Sequence, residues 1–174
     1  DQLFYSFSPN RKRVAFYTFE HRNPLRRVNT EYTHIDRRQR LGYRVYHADQ
    51  AIDHVYDEGL KERSRGVMNL PTRKHLLLGE DLDNEGNLYF YYYERKNIVK
   101  VIFRNAENGD VKTLTYDEDV PDLFDLENEY ASHVPPSLGQ GKKVLWGFAD
   151  RVKRGKKRGI HSFRIVVFDF EKLT

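Results

Sequence analysis

The chain contains no cysteine. That absence excludes a disulfide framework, a thiolate nucleophile and any cysteine-ligated zinc. Its seven histidines include no His-Glu-x-x-His and no His-x-His spacing, so no metal site is expected. There is no Gly-rich phosphate loop and no Gly-x-Ser-x-Gly elbow. No apolar run approaches the length of a membrane span, and no signal-peptide pattern stands at the amino end as given.

A single domain over residues 1–174 is the expectation for 174 residues. Charged residues make up 32% and mean hydropathy is −0.81, yet 12 Tyr and 11 Phe supply material for an ordered core. Net charge is +4, unevenly spread. Nine arginines and lysines, from Arg11 to Arg40, load a basic amino-terminal extension over residues 1–40. Arg151, Lys153, Arg154, Lys156, Lys157 and Arg158 form a second block, and acids gather between the two. Basic blocks favour polyanions, so nucleic acid joins the partner classes to consider.

Local patterns predict mostly strands. Aromatic-rich residues 3–7 and 13–19 flank the turn Ser8-Pro9-Asn10-Arg11-Lys12 and read as a hairpin. The phrase from Ser8 to Phe16 resembles a propeller-blade turn, but it does not repeat at a constant period, which argues against a propeller. Residues 20–40 read as irregular or a short helix. Gly42 to Asp49 starts as a strand. Asp49 is a fair helix N-cap, and Ala51, Ile52, Val55 and Tyr56 recur at helical spacing before Gly59, a C′ stop; a two-turn helix is predicted. Lys61 to Lys74 reads as loop. Strands follow at 75–79, 88–93, 98–104, 111–116, 144–148 and 162–170, with Asn108-Gly109 as a type I′ hairpin signal and Lys153 to Gly159 as a basic hairpin loop. The fold class expected is α+β, dominated by sheet, with few short helices.

The candidate chemistry centres on Glu127-Asn128-Glu129, at the end of an acidic stretch and before Pro135-Pro136. In extended chain, positions i and i+2 share a face, so the two carboxylates would stand side by side and raise one another's pKa. A solvated acidic loop is the plainer reading of the same residues.

Two stretches together resemble the mono-ADP-ribosyltransferase toxins, such as the catalytic subunits of pertussis and cholera toxins. Val45-Tyr46-His47-Ala48-Asp49 leading to Asp57-Glu58-Gly59-Leu60 is similar to that family's opening strand, short helix and Gly-Leu. Glu127-Asn128-Glu129, followed by a Pro-containing turn and the strand at Val144, is similar to its Glu-x-Glu motif. The family's arginine position is His47 here, with Arg44 three residues earlier as the other candidate. The family's Ser-Thr-Ser strand is absent, and His75-Leu76-Leu77-Leu78 stands in its place.

The resemblance covers about residues 41–170. It implies an ADP-ribosyltransferase-like split β-sandwich core over 41–174 that consumes NAD as substrate and transfers ADP-ribose to a macromolecular acceptor, a protein. It also implies a soluble toxin or effector, secreted or translocated. Glu129 would stabilise the oxocarbenium-like ribose and Glu127 would activate the acceptor. His47, Arg44 and His75 would position NAD, with Tyr91 and Tyr93 stacking on nicotinamide. Two other readings stand beside it: a catalytically inactive domain of that fold that only binds, and a basic, aromatic-rich module for RNA or single-stranded DNA.

Overall fold

The computed structural model describes residues 3–21, 29–34, 42–70, 75–94, 98–118, 133–154 and 157–173. Among these residues, thirteen strands form three antiparallel sheets. The first sheet orders β1 (Leu3–Phe7), β2 (Arg13–Glu20), β5 (Gln50–Asp57) and β6 (Glu62–Asn69). Between β2 and β5 in the chain comes the hairpin β3 (Asn29–His34) and β4 (Gly42–His47).

The middle sheet is a meander of β7 (His75–Leu82), β8 (Leu88–Glu94), β9 (Ile98–Arg104) and β10 (Val111–Tyr116), and β4 adds to its β7 edge. The third sheet orders β11 (His133–Leu138), β12 (Lys143–Arg154) and β13 (Lys157–Asp169).

Among the described residues there is no helix, so the protein is all-β and the α+β, split-sandwich expectation is corrected. The predicted helix after Asp49 is β5. Its burial alternates strictly, with Ala51, Asp53 and Val55 inward and Ile52, His54 and Tyr56 less buried on the other face. Pairing on both sides, to β2 and β6, decides the ambiguous spacing in favour of period two. Residues 62–69, read as loop, are the edge strand β6, and part of the irregular 20–40 stretch is β3. The expected type I′ turn at Asn108-Gly109 is instead a longer loop. Asn105 N–H donates to Asp110 O at 2.8 Å, Gly109 N–H donates to Asn105 O, and only Gly109 is left-handed.

The middle sheet is covered on both faces. On one side Leu88, Phe90, Tyr92 and Ile102 pack against Ala15, Tyr17, Ala51, Val55 and Met68 of the first sheet. On the other, Tyr89, Tyr91, Val101 and Phe103 pack against Val144, Trp146, Phe148, Phe168 and Phe170 of the third. This is why β8 is a continuous apolar run, Leu-Tyr-Phe-Tyr-Tyr-Tyr, and not an alternating one: both of its faces are interior.

The sheets also gather at their first strands, since β7 lies against both β1 and β11. The turns leading into the second strands touch: Asn10 N–H donates to Asn84 Oδ1 at 3.0 Å and Arg13 Nε to the Asn84 carbonyl at 2.9 Å. Antiparallel meanders stacked in chain order and converging at their first strands follow the layout of radially repeated sheets.

Candidate interaction surface

Glu127 and Glu129, the carboxylates that carried the catalytic expectation, lie outside the described residues. Arg44 and His47 stand on β4, where the Arg44 backbone pairs with Leu77 of β7. His75 opens β7, opposite Glu94 of β8. The backbone therefore brings three of the NAD-positioning candidates onto adjacent strands.

Tyr91 and Tyr93 are on β8, the next strand over, but their rings are interior at 2% and 3% exposure. Tyr91 meets Trp146 edge-on and donates its hydroxyl to Asp81 Oδ2 at 2.7 Å. Burial pushes the pKa of both Tyr91 and Asp81 up. Tyr89 is likewise buried and donates to Asp83 Oδ2 at 3.0 Å. Tyr89 and Tyr91 pack through their rings between the sheets and end in a hydrogen-bonded hydroxyl, and the Tyr93 ring is buried in the same core.

A charged pair is sealed between the first and middle sheets. Asp53 of β5 and Arg104 of β9 are almost fully buried, with Arg104 Nη1 3.2 Å from Asp53 Oδ2. Burial dominates over the guanidinium's attraction and pushes the Asp53 carboxyl up to about 6. Arg104 reaches this position across Gly66 of β6, where a Cβ would fall 2.0 Å from its Nε. Glycine is required there by close approach. Among the described residues, no group of three His, Asp or Glu side chains could hold a metal ion.

The surface that the sequence reading did not single out is apolar and lies on the two outer faces of the stack. On β1, Leu3, Tyr5 and Phe7 are each more than half exposed. They pair with Thr18, Phe16 and Val14 of β2, which continue to Ile52, His54 and Tyr56 of β5. Val67 of β6 extends the same face beside Ile52. Tyr5 and Phe7 meet edge to face, as do Phe16 and Tyr56, and His54 stacks on Tyr56.

One margin of this face is polar. Glu62 Oε2 receives Tyr56 Oη at 3.2 Å and lies 3.0 Å from His54 Nδ1. The bond from His54 is the largest cause that holds the Glu62 carboxyl below its usual range. At the far side of the molecule, Phe163, Ile165 and Val167 of β13 repeat the pattern, beside Leu145 of β12. Sequence did carry a signal for both rows. Leu3 to Phe7 and Phe163 to Phe170 have large apolar residues on both faces of a strand, and such strands call for cover on both sides.

No protein-family model matches the chain, and no curated protein matches it either. Among solved structures, the Dos1 propeller is similar at 12% identity and a TM-score of 0.38, over 97% of this chain and 46% of that one. The chain thus spans less than half the length of that structure's chain, and a likeness this loose carries no argument about fold or activity.

Proposed function

We propose that the chain is a non-catalytic protein-binding module whose two outer sheet faces receive apolar β-sheet faces of partner proteins. The observation that carries this reading is the pair of exposed rows, Leu3-Tyr5-Phe7 on β1 and Phe163-Ile165-Val167 on β13. Both sit at the ends of a stack that already makes two interfaces of the same kind internally. An outer sheet face that met only water would carry polar residues at these positions. Contiguous exposed apolar patches of this sort mark interaction surfaces.

The test is site-specific photo-crosslinking in the cell that makes the protein, with the photoreactive residue at Tyr5 or Ile165 and, as control, at the exposed Thr113. Protein adducts at the two apolar positions and not at Thr113 are expected; no adducts at either apolar position would sink the reading. Nicotinamide release from NAD by the same purified chain decides the enzymatic alternative, which depends on Glu127 and Glu129. Release that falls about a hundredfold in Glu129→Gln, the loss typical of a removed transition-state electrostatic group, would replace the binding reading with a transferase.

A further inference from the structure

The two outer faces differ in relief. On the first sheet, Tyr5 and Phe7 of β1 stand more than half exposed, and Phe16 of β2 and Tyr56 of β5 lie beside them on the same face. This face is a ridge of rings. On the third sheet, Phe163 and Ile165 of β13 are also more than half exposed, directly opposite Ala149 and Gly147 of β12. Opposite residues of an antiparallel pair share a face, so a strip with little or no side chain runs beside that row. A ridge of rings interdigitates with a row and a low strip better than with a second ridge.

Inside the chain, the middle sheet gives one face to the first sheet and the other to the third. Continued in the same order, the outer face of a third sheet meets the outer face of a first. The first strands converge, since β7 lies against both β1 and β11, so the order turns about an axis. Closed rings of radial sheets hold about four to eight of them. The described residues build three sheets; two copies bring six, and three copies nine. Two copies fall within that range and three exceed it.

We infer that two copies of this chain close into one ring, the first sheet of each against the third sheet of the other. The inference rests on the outer faces being protein-binding surfaces, as proposed above, and names their partner. Area favours closure over a single joint. A face of three or four strands about 4.8 Å apart, and roughly five to seven residues long at about 3.4 Å each, covers about 300 Å². One joint covers two such faces, about 600 Å², and falls short of the ~1,000 Å² of a specific interface. The ring covers four faces, about 1,200 Å², and its second joint forms within a pair already made. On dilution the ring opens to single chains with both outer faces in water.

Sedimentation velocity on the purified chain, from about 1 to about 100 µM, tests it. A concentration-dependent shift from the 20.8 kDa chain to twice that mass, with no larger species, is expected. Tyr5→Glu and Ile165→Glu should each weaken the dimer at least about hundredfold, because in the ring either change puts an unpaired charge into both joints. Thr113→Glu, at an exposed position of β10, should leave it unchanged. Thermal melts check that all three variants are folded. The direction of the joint is read with thiols, which the chain itself lacks. Tyr5→Cys and Ile165→Cys chains, mixed in equal amounts and treated with a short bismaleimide, should give the mixed product in excess over either like pair.

A chain that stays monomeric over that range would overturn the inference. So would a ladder of larger species, a predominance of like pairs in the crosslinked product, or a dimer that keeps its affinity in both glutamate variants. Photo-crosslinking in the cell separates this failure from failure of the binding reading. A monomer with adducts to other proteins at Tyr5 or Ile165 rejects the second copy alone, and a monomer with no adducts rejects both.

Discussion

Between the first and middle sheets the apolar core, with Tyr17 edge-on to Phe90, encloses a buried ion pair, Asp53 and Arg104, whereas the core between the middle and third sheets is built of rings and aliphatic side chains. Trp146 lies parallel to Phe148 and edge-on to Tyr91, and Phe103 stacks on Phe170 at 4.9 Å. Both contacts seal a face of the same sheet, yet they do so by different physics. The aromatic side is strong and tolerant of register, because dispersion and apolar burial are non-directional. The ion pair itself adds little net stability, since desolvation offsets the attraction, but it is exacting: Asp53 stands opposite Arg104, and Arg104 reaches it across Gly66. Both interfaces bury apolar side chains, and the ion pair adds a constraint on alignment to one of them.

The largest expected effect breaks the aromatic side. Trp146 is fully buried, and Trp146→Ala should cost about 3–5 kcal/mol in urea or thermal unfolding. A loss below about 1 kcal/mol would mean that the third sheet does not hold the middle one through this ring. On the ionic side, Asp53→Ala leaves a buried guanidinium without its counter-charge and should also cost about 3–5 kcal/mol, while the double change Asp53→Leu with Arg104→Met should be close to neutral. If the double variant is as unstable as the single one, the pair contributes more than alignment.

The pH dependence sharpens the same contrast. Asp53's folded pKa of about 6 lies above the ordinary 3.8. Between those values the folded chain binds more protons than the unfolded one, so this group's contribution to stability is full below about pH 4 and is lost as pH rises through about 6. The shift corresponds to about 3 kcal/mol. Measured against Asp53→Asn, which cannot titrate, wild type should lose relative stability between pH 4 and pH 7. A relative gain over that range would show that the guanidinium outweighs burial.

Gly66→Ala puts a methyl group into the path of Arg104 and should cost about 1–3 kcal/mol, read by thermal melting. At the small end, Tyr5→Ser and Ile165→Ser on the outer faces should change the stability of the isolated chain by less than about 0.5 kcal/mol, because both side chains are more than half exposed.

The same contrast explains what could be read in advance. The strands around the aromatic interface, 88–93, 98–104, 144–148 and 162–170, announce themselves through Tyr, Phe, Val and Ile. In the first sheet β1 and β2 were legible as a hairpin, but β5 and β6 hide. β5 places an acid, Asp53, at an inward position, which broke the alternation and let Ala51, Ile52, Val55 and Tyr56 pass as a helical face. In β6 the positions of the Ser64, Gly66 and Met68 register lie toward the middle sheet, and the first two are too small to register as apolar. The partner that gives both strands their meaning, Arg104, lies far along the chain.

Repetition of the sheets was hidden for a different reason. The turns at Ser8–Arg13, Asp83–Asn87 and Gly139–Lys143 each close with a backbone bond from the first residue's N–H to the last residue's carbonyl, and each contains a left-handed residue: Arg11, Gly86 and Gly141. Their sequences differ, and the β3–β4 hairpin interposed after β2 destroys a constant period. The glutamate pair that suggested catalysis lies outside the described residues, while the basic block at 151–158 was legible as charge.

Native-state hydrogen exchange on the purified chain tests the central claim, that one sheet is buried on both faces between two neighbours whose outer faces are free. Amides of β8 and β9 should exchange only through global unfolding, while those of the edge strand β1 exchange orders of magnitude faster. Comparable protection of β1 and β8, or exchange of β8 through local opening, would contradict the sandwiched middle sheet and with it the free outer faces on which the binding reading rests.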